Sequence, residues 1–165
     1  MEAVLDKEKS VLESIAGRFA DVDISKAASA VRRIYLPVPE PLFMDVLKFA
    51  QSELQFTHLC TITGLDSVAN FEFLYHISRD DGIVLTLEYK TGREDPVVIS
   101  TVLPIYNGAT FYERELESLL GIKVEGLPEG RQYPLPDNWP KGEYPLRKDW
   151  KPKEKKPMGA EAQNG

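Results

Sequence analysis

Seven of the twelve prolines in this 165-residue chain fall between Pro128 and Pro157. Each removes a backbone donor and fixes φ, so the stretch from 126 onward is expected to be extended and irregular. Yet Tyr133, Leu135, Trp139, Tyr144, Leu146 and Trp150 make it too apolar for a simple flexible linker. Such residues need a surface, either the chain's own sheet or a partner's groove. The expectation is that the final third reaches its stable shape only against another subunit. Three parts follow: an α+β domain over 1–125, an extended docking arm over 126–150, and a disordered basic tail over 151–165.

The domain reads as helices around a sheet. Leu5, Leu12, Ile15, Ala16 and Phe19 recur near helical spacing. Arg32–Val38 alternates as a strand, with Pro37 and Pro39 suggesting an edge or an ending. Pro41 suits a first helical turn, and Phe43, Val46, Leu47, Ala50 and Leu54 form one stripe behind it. Strand-like segments then follow at Thr57–Thr63, Phe71–Ile77, Ile83–Tyr89 and Val97–Leu103. The Arg79-Asp80-Asp81-Gly82 turn and short connections favour an antiparallel meander, one face covered by helices. The predicted fold class is α+β, with a mostly antiparallel sheet. A third helix starts at Thr110, where Thr110 and Glu113 have capping-box spacing. Tyr112, Leu116, Leu119 and Leu120 are its buried stripe, and Gly121 is its stop.

Composition excludes several function classes. A net charge of −6 argues against sequence-independent nucleic-acid binding, which depends on Lys and Arg neutralising phosphates. The charge is uneven: Arg147–Lys156 holds six bases and two acids, +4, which leaves −10 for the remainder. Cys60 is the only cysteine, so neither an internal disulfide nor a cluster held by several thiolates of this chain is available. No apolar run approaches the roughly 18–20 residues that span a bilayer. The start, MEAVLDKEK, lacks a signal-peptide pattern.

Few residues suggest chemistry. Glu113, Arg114, Glu115 and Glu117 crowd charge onto the third helix, where Glu113 and Glu117 repel at i,i+4 and Arg114 answers only Glu117. The missing cations are Arg131 or Arg147 folding back, or arginines of a partner; an ordinary solvated helix face is the competing reading. Carboxylates paired for acid–base work would need a pocket and a tuned pKa. His58 and His76 lie apart and, with one cysteine, make no zinc site. Cys60 is expected to be a small buried hydrophobe. The common glycine-rich phosphate cradles are absent, and the basic end offers attraction to anionic lipid.

One stretch carries a resemblance. Tyr112-Glu113-Arg114-Glu115, Leu120-Gly121-Ile122, Gly126 with Pro128, Leu135-Pro136-Asp137-Asn138-Trp139 and Pro145-Leu146-Arg147-Lys148-Asp149 follow in order. In this it resembles the NADH dehydrogenase 30-kDa subunit of respiratory complex I and its counterparts in membrane-bound energy-converting nickel–iron hydrogenases. Leu127 and Tyr144 stand where complex I versions generally have histidine, and Ser118 where an acid is usual. These departures look more similar to the hydrogenase branch.

The resemblance implies a non-catalytic scaffold subunit without cofactor, peripheral on the cytoplasmic side of the cell membrane. Partner subunits would hold the iron–sulfur (4Fe-4S) clusters and the NiFe centre, and would couple ferredoxin-linked electron transfer to ion translocation. The arm would clasp the large subunit. Contact residues are then Glu113, Arg114, Glu115, Glu117, Arg131, Leu135, Asp137, Trp139, Pro145, Leu146, Arg147, Lys148, Asp149 and Trp150. Alternatives of the same kind are a sulfur-reducing complex or complex I itself. A small stand-alone enzyme using Glu113 or Glu115 and a lipid-surface adaptor acting through the basic tail are alternatives of other kinds.

Overall fold

The computed structural model describes residues 5–152. In chain order it contains α1 (Asp6–Arg18), β1 (Ala28–Ala30), β2 (Arg33–Pro37), α2 (Glu40–Ser52), β3 (His58–Asp66), β4 (Phe71–Ser78), β5 (Val84–Thr91), β6 (Val98–Ser100), α3 (Thr110–Leu120) and β7 (Lys123–Glu125). The class is α+β, and the main sheet is mixed. Its order is β1-β2-β5-β4-β3. Strands β3, β4 and β5 form an antiparallel meander, and β1 pairs antiparallel with β2, but β2 runs parallel to β5.

Side-chain alternation decides which face is covered. Register puts Ile34, Leu85 and Ile77 in one row and Leu36, Leu87, Tyr75 and Ile62 in the next, all buried. The following row is Tyr89, Phe73 and Gly64. Phe43 of α2 meets Tyr75 at 4.7 Å and Tyr89 at 4.3 Å between ring centroids. On the same face, Leu116 and Leu120 of α3 sit over Gly64. Both helices therefore cover one side, while Thr61, Thr63, Glu72, His76, Thr86 and Lys90 line the other. Helix α1 contacts α2, and Phe19, the residue that follows α1, meets Phe49 at 5.6 Å between ring centroids. Its Glu8 is buried because it accepts the Arg32 N–H at 2.7 Å.

Several expectations needed correction. The strand over Arg32–Val38 does end at Pro37, but it is not an edge, since β1 and β5 flank it. Pro37 is accommodated because β1 reaches only Tyr35 and the neighbouring Val38 N–H supplies the bond to Glu88 on β5. The segment Val97–Leu103 does not extend the meander. It shortens to β6, which pairs in parallel with β7, a strand too brief to leave a periodic signal. Cys60 is the extra residue of a bulge between Leu59 and Thr61 and is half-buried, not a buried core residue. The tail reading for 151–165 falls mostly outside the described residues.

Gly64 is a point of close approach between the layers. A Cβ there would lie 2.5 Å from Leu116 Cδ2 and 2.6 Å from Leu120 Cδ1. Strand propensity alone favours Gly64→Val, whereas overpacking opposes it by about 1–3 kcal/mol. The packing effect is expected to win, lowering the urea midpoint of the full chain; an unchanged or higher midpoint would mean that α3 is not seated on β3.

Candidate partner-docking site at α3 and the C-terminal segment

Helix α3 leaves its first turn uncapped by any side chain, and the expected Thr110–Glu113 box does not form. Glu113 turns inward instead. It is 0% exposed and accepts the Val102 N–H at 2.6 Å and the Thr101 hydroxyl at 2.6 Å. This bond ends β6, because Val102 spends its donor on the helix. Burial pushes the Glu113 carboxyl above the ordinary glutamate range, and the Glu117 charge adds to the shift. Enclosed and engaged at both oxygens, Glu113 is neither a surface contact nor a solvent-accessible acid or base.

Arg114 and Glu117 of α3 answer each other locally. Arg114 bonds Glu117 at 2.9 Å and donates to the Pro128 carbonyl, while Glu115 and Glu117 remain half-buried. Neither of the proposed returning cations reaches these acids. Arg131 pairs with Asp137 at 2.6 Å on the surface, and Arg147 goes to the far end of the helix.

Residues 126–152 carry no helix or strand, yet they are tied to the domain at two places. Nearer the start, the Tyr133 N–H donates to Ser118 Oγ at 3.2 Å. The Tyr133 ring meets Phe111 edge-on at 5.3 Å. Phe111 is 64% and Tyr133 43% exposed. Together with Arg114, Arg131 and Leu135 they line an open groove of about 660 Å³. Further on, Tyr144 packs against Gly121, the left-handed C-cap of α3 at φ +70°. The Leu146 N–H reaches the Leu119 carbonyl at 3.0 Å. Arg147 Nε donates to the Leu120 carbonyl at 2.6 Å, and its other arm faces Gly121 and Asp95.

Asp66 completes this second tie. Its side chain is 0% exposed. It accepts the Val68 N–H at 2.8 Å and the Lys148 N–H at 2.9 Å, with Arg93 at 3.0 Å. Burial pushes its carboxyl up, but the Lys148 and Val68 donors and the Arg93 and Arg147 charges together hold it below the usual range. Asp66 and Arg93 escaped the sequence reading. The only local signal was an acid entering a short turn, which many surface loops share.

Of the remaining predicted contacts, Leu146 is 52% exposed, and the Lys148 and Asp149 side chains also face solvent. Trp139 and Trp150 are half-buried against each other at 6.0 Å, and Trp139 donates to the Glu143 carbonyl at 2.8 Å. Leu135 and Pro145 are half-buried. The structure thus brings Pro145–Trp150 onto the end of α3, while Arg131, Leu135 and Asp137 lie beside its start. Among the described residues, no group of three or more His, Cys, Asp or Glu side chains could hold a metal ion. Nor is any described helix long and apolar enough to cross a membrane.

The molecule is thus a sheet covered on one face, with an irregular segment strapped to the covering helix. The chain belongs to the family described as respiratory-chain NADH dehydrogenase, 30 Kd subunit, whose model matches residues 36–156. It is 34% identical over 145 residues to a subunit of the F(420)H(2) dehydrogenase of Methanosarcina mazei, covering 86% of this chain and 90% of that one. It is 27% identical over 155 residues to the beta subunit of the membrane-bound hydrogenase of Pyrococcus furiosus, covering 89% and 88%. Its fold matches a chain of the membrane-bound sulfane sulfur reductase, an archaeal respiratory membrane complex. The TM-score there is 0.76 at 24% identity, over 88% of this chain and 86% of that one.

Glu113 gives a signed pH dependence. A carboxyl whose pKa is raised by folding stabilises most when protonated, and that contribution declines as pH rises through its elevated value. Wild-type urea midpoints are therefore expected to carry a downward component as pH rises above the ordinary glutamate range, absent in Glu113→Gln. Glu113→Ala leaves the Val102 N–H unpaired in the core, a cost of about 1–3 kcal/mol at any pH. Identical pH profiles for wild type and Glu113→Gln would contradict the burial.

Proposed function

We propose that this chain is an accessory subunit, without cofactor of its own, of a membrane-bound hydrogenase-type oxidoreductase complex. The observation that carries the reading is similarity along most of the chain to two proteins named as subunits, one of a membrane-bound hydrogenase and one of an F(420)H(2) dehydrogenase. The molecule's own chemistry supports it. The most conspicuous carboxylate of α3 is sealed in the core, whereas Phe111, Tyr133 and Leu146 offer apolar surface beside the irregular segment. Patches of this kind mark contacts with other proteins.

In this reading the module is positional. Its 126–150 segment clasps the large subunit, through Leu135, Asp137, Trp139 and the outward side chains of Pro145–Trp150, with Arg114, Glu115, Glu117 and Arg131 alongside. Iron–sulfur clusters and the nickel–iron centre reside in neighbouring subunits, which carry electrons from ferredoxin to protons and couple that flow to ion movement. The chain reaches the membrane through those partners, on its cytoplasmic side.

A second reading has a specific observation behind it. Identity is higher to the F(420)H(2) dehydrogenase protein, at 34%, than to the hydrogenase protein, at 27%. The same scaffold would then serve an F(420)H(2) dehydrogenase.

Affinity purification from native membranes separates these readings. The tagged chain is expected to come out with larger metal-containing subunits. Nickel and hydrogen evolution in that assembly select the hydrogenase reading, and oxidation of F(420)H(2) without nickel selects the second. Recovery of the chain alone from the soluble fraction would overturn both.

A further inference from the structure

The Pro145-Leu146-Arg147-Lys148-Asp149 stretch divides by direction. Two successive turns, Arg147 N–H to Tyr144 carbonyl and Trp150 N–H to Arg147 carbonyl, curl it over the end of α3. The backbone donors of Leu146 and Lys148 point inward, to the Leu119 carbonyl at 3.0 Å and to Asp66 at 2.9 Å. Arg147 sends its side chain inward as well. Its guanidinium lies 4.9 Å from the Tyr144 ring centroid and 5.6 Å from that of Phe71, and it bonds the Leu120 carbonyl at 2.6 Å. A helix leaves its last carbonyls unpaired and its C-terminus partially negative. A cation with a rigid fork of donors answers both needs at once. Leu146 and Lys148 meanwhile project their side chains outward, and Asp149, although mostly exposed, also lies 3.8 Å from Arg93.

We infer that Arg147 is a positioning residue which, with Asp66, fastens residues 144–150 to the end of α3 in the free subunit, so that Leu146, Lys148 and Asp149 are presented to a partner already in place. This rests on the docking function proposed above, and it reverses the expectation that the segment acquires its shape only on a partner. Preorganisation removes part of the ordering cost that an unfastened segment would incur on binding. Arg147 itself then touches no partner.

Residue-resolved hydrogen exchange on the full chain, without partners, tests the fastening. The Leu146 and Lys148 amides are expected to be protected in the wild type. Arg147→Met should speed their exchange about tenfold or more, the scale of losing charge-assisted hydrogen bonds. Amides of β4 and β5 should stay unchanged. Arg147→Lys keeps the charge but not the fork, so it should fall between. Asp66→Ala should release the Lys148 amide more than the Leu146 amide, and it serves as the comparison should Arg147→Met disturb the core. Wild-type amides exchanging at the rate of an unstructured peptide would overturn the inference, as would no response to Arg147→Met. Leu146→Asp distinguishes this from failure of the docking function. It should leave exchange in the free chain intact and lower recovery of the membrane assembly. Full recovery with Leu146→Asp, alongside the predicted exchange pattern, would uphold the strap and refute the docking role of its outward face.

Discussion

Helix α3 is the piece on which the rest of the arrangement depends, and it is held by polar ties at both ends. Near its start, the Glu113 carboxyl reaches down to Thr101 and Val102. At its finish, the Arg147 guanidinium bonds the last carbonyls. Between them, Leu116 and Leu120 press onto the sheet at Gly64. Each apolar side chain contributes roughly 1.5–3 kcal/mol by leaving water, but such contacts alone do not fix the rotation or the sliding of a helix. The two polar ties do, because each has a single geometry in which its donors and acceptors meet.

That fixation has a consequence for the C-terminal segment. Proline-rich chain with no ladder of its own cannot satisfy its backbone groups internally. Here a subset of those groups is satisfied by α3 and by Asp66, leaving the intervening side chains outside. Three exposed apolar residues then fall beside the two ends of the same helix, Phe111 and Tyr133 at its start and Leu146 at its finish, while Val31, Leu65, Val68 and Val98 are exposed as well. A partner approaching this side would meet a surface whose backbone is already set.

The sequence made the meander legible because Phe71, Phe73, Tyr75 and Ile77 alternate against Leu85, Leu87 and Tyr89. It also made α2 and α3 legible through their stripes and Gly121. Pairing between short segments was not readable: β6 and β7 are three residues each, and nothing in their composition says that they lie parallel. The C-terminal segment was visible as a motif but not in its orientation. Whether Glu113 caps a helix or crosses to a neighbouring loop depends on what folds beside it. Whether Arg147 faces a partner or its own helix depends on Asp66, eighty-one positions away. Such long-range choices leave no local periodicity.

Cross-linking mass spectrometry on the native membrane assembly tests the central claim most directly. Lys148 projects from the strapped segment and Lys141 precedes it, so both should form cross-links to a larger subunit, while lysines of the opposite sheet face such as Lys90 should not form them with that same subunit. Cross-links confined to this chain, in a preparation where it stays in its assembly, would contradict the account.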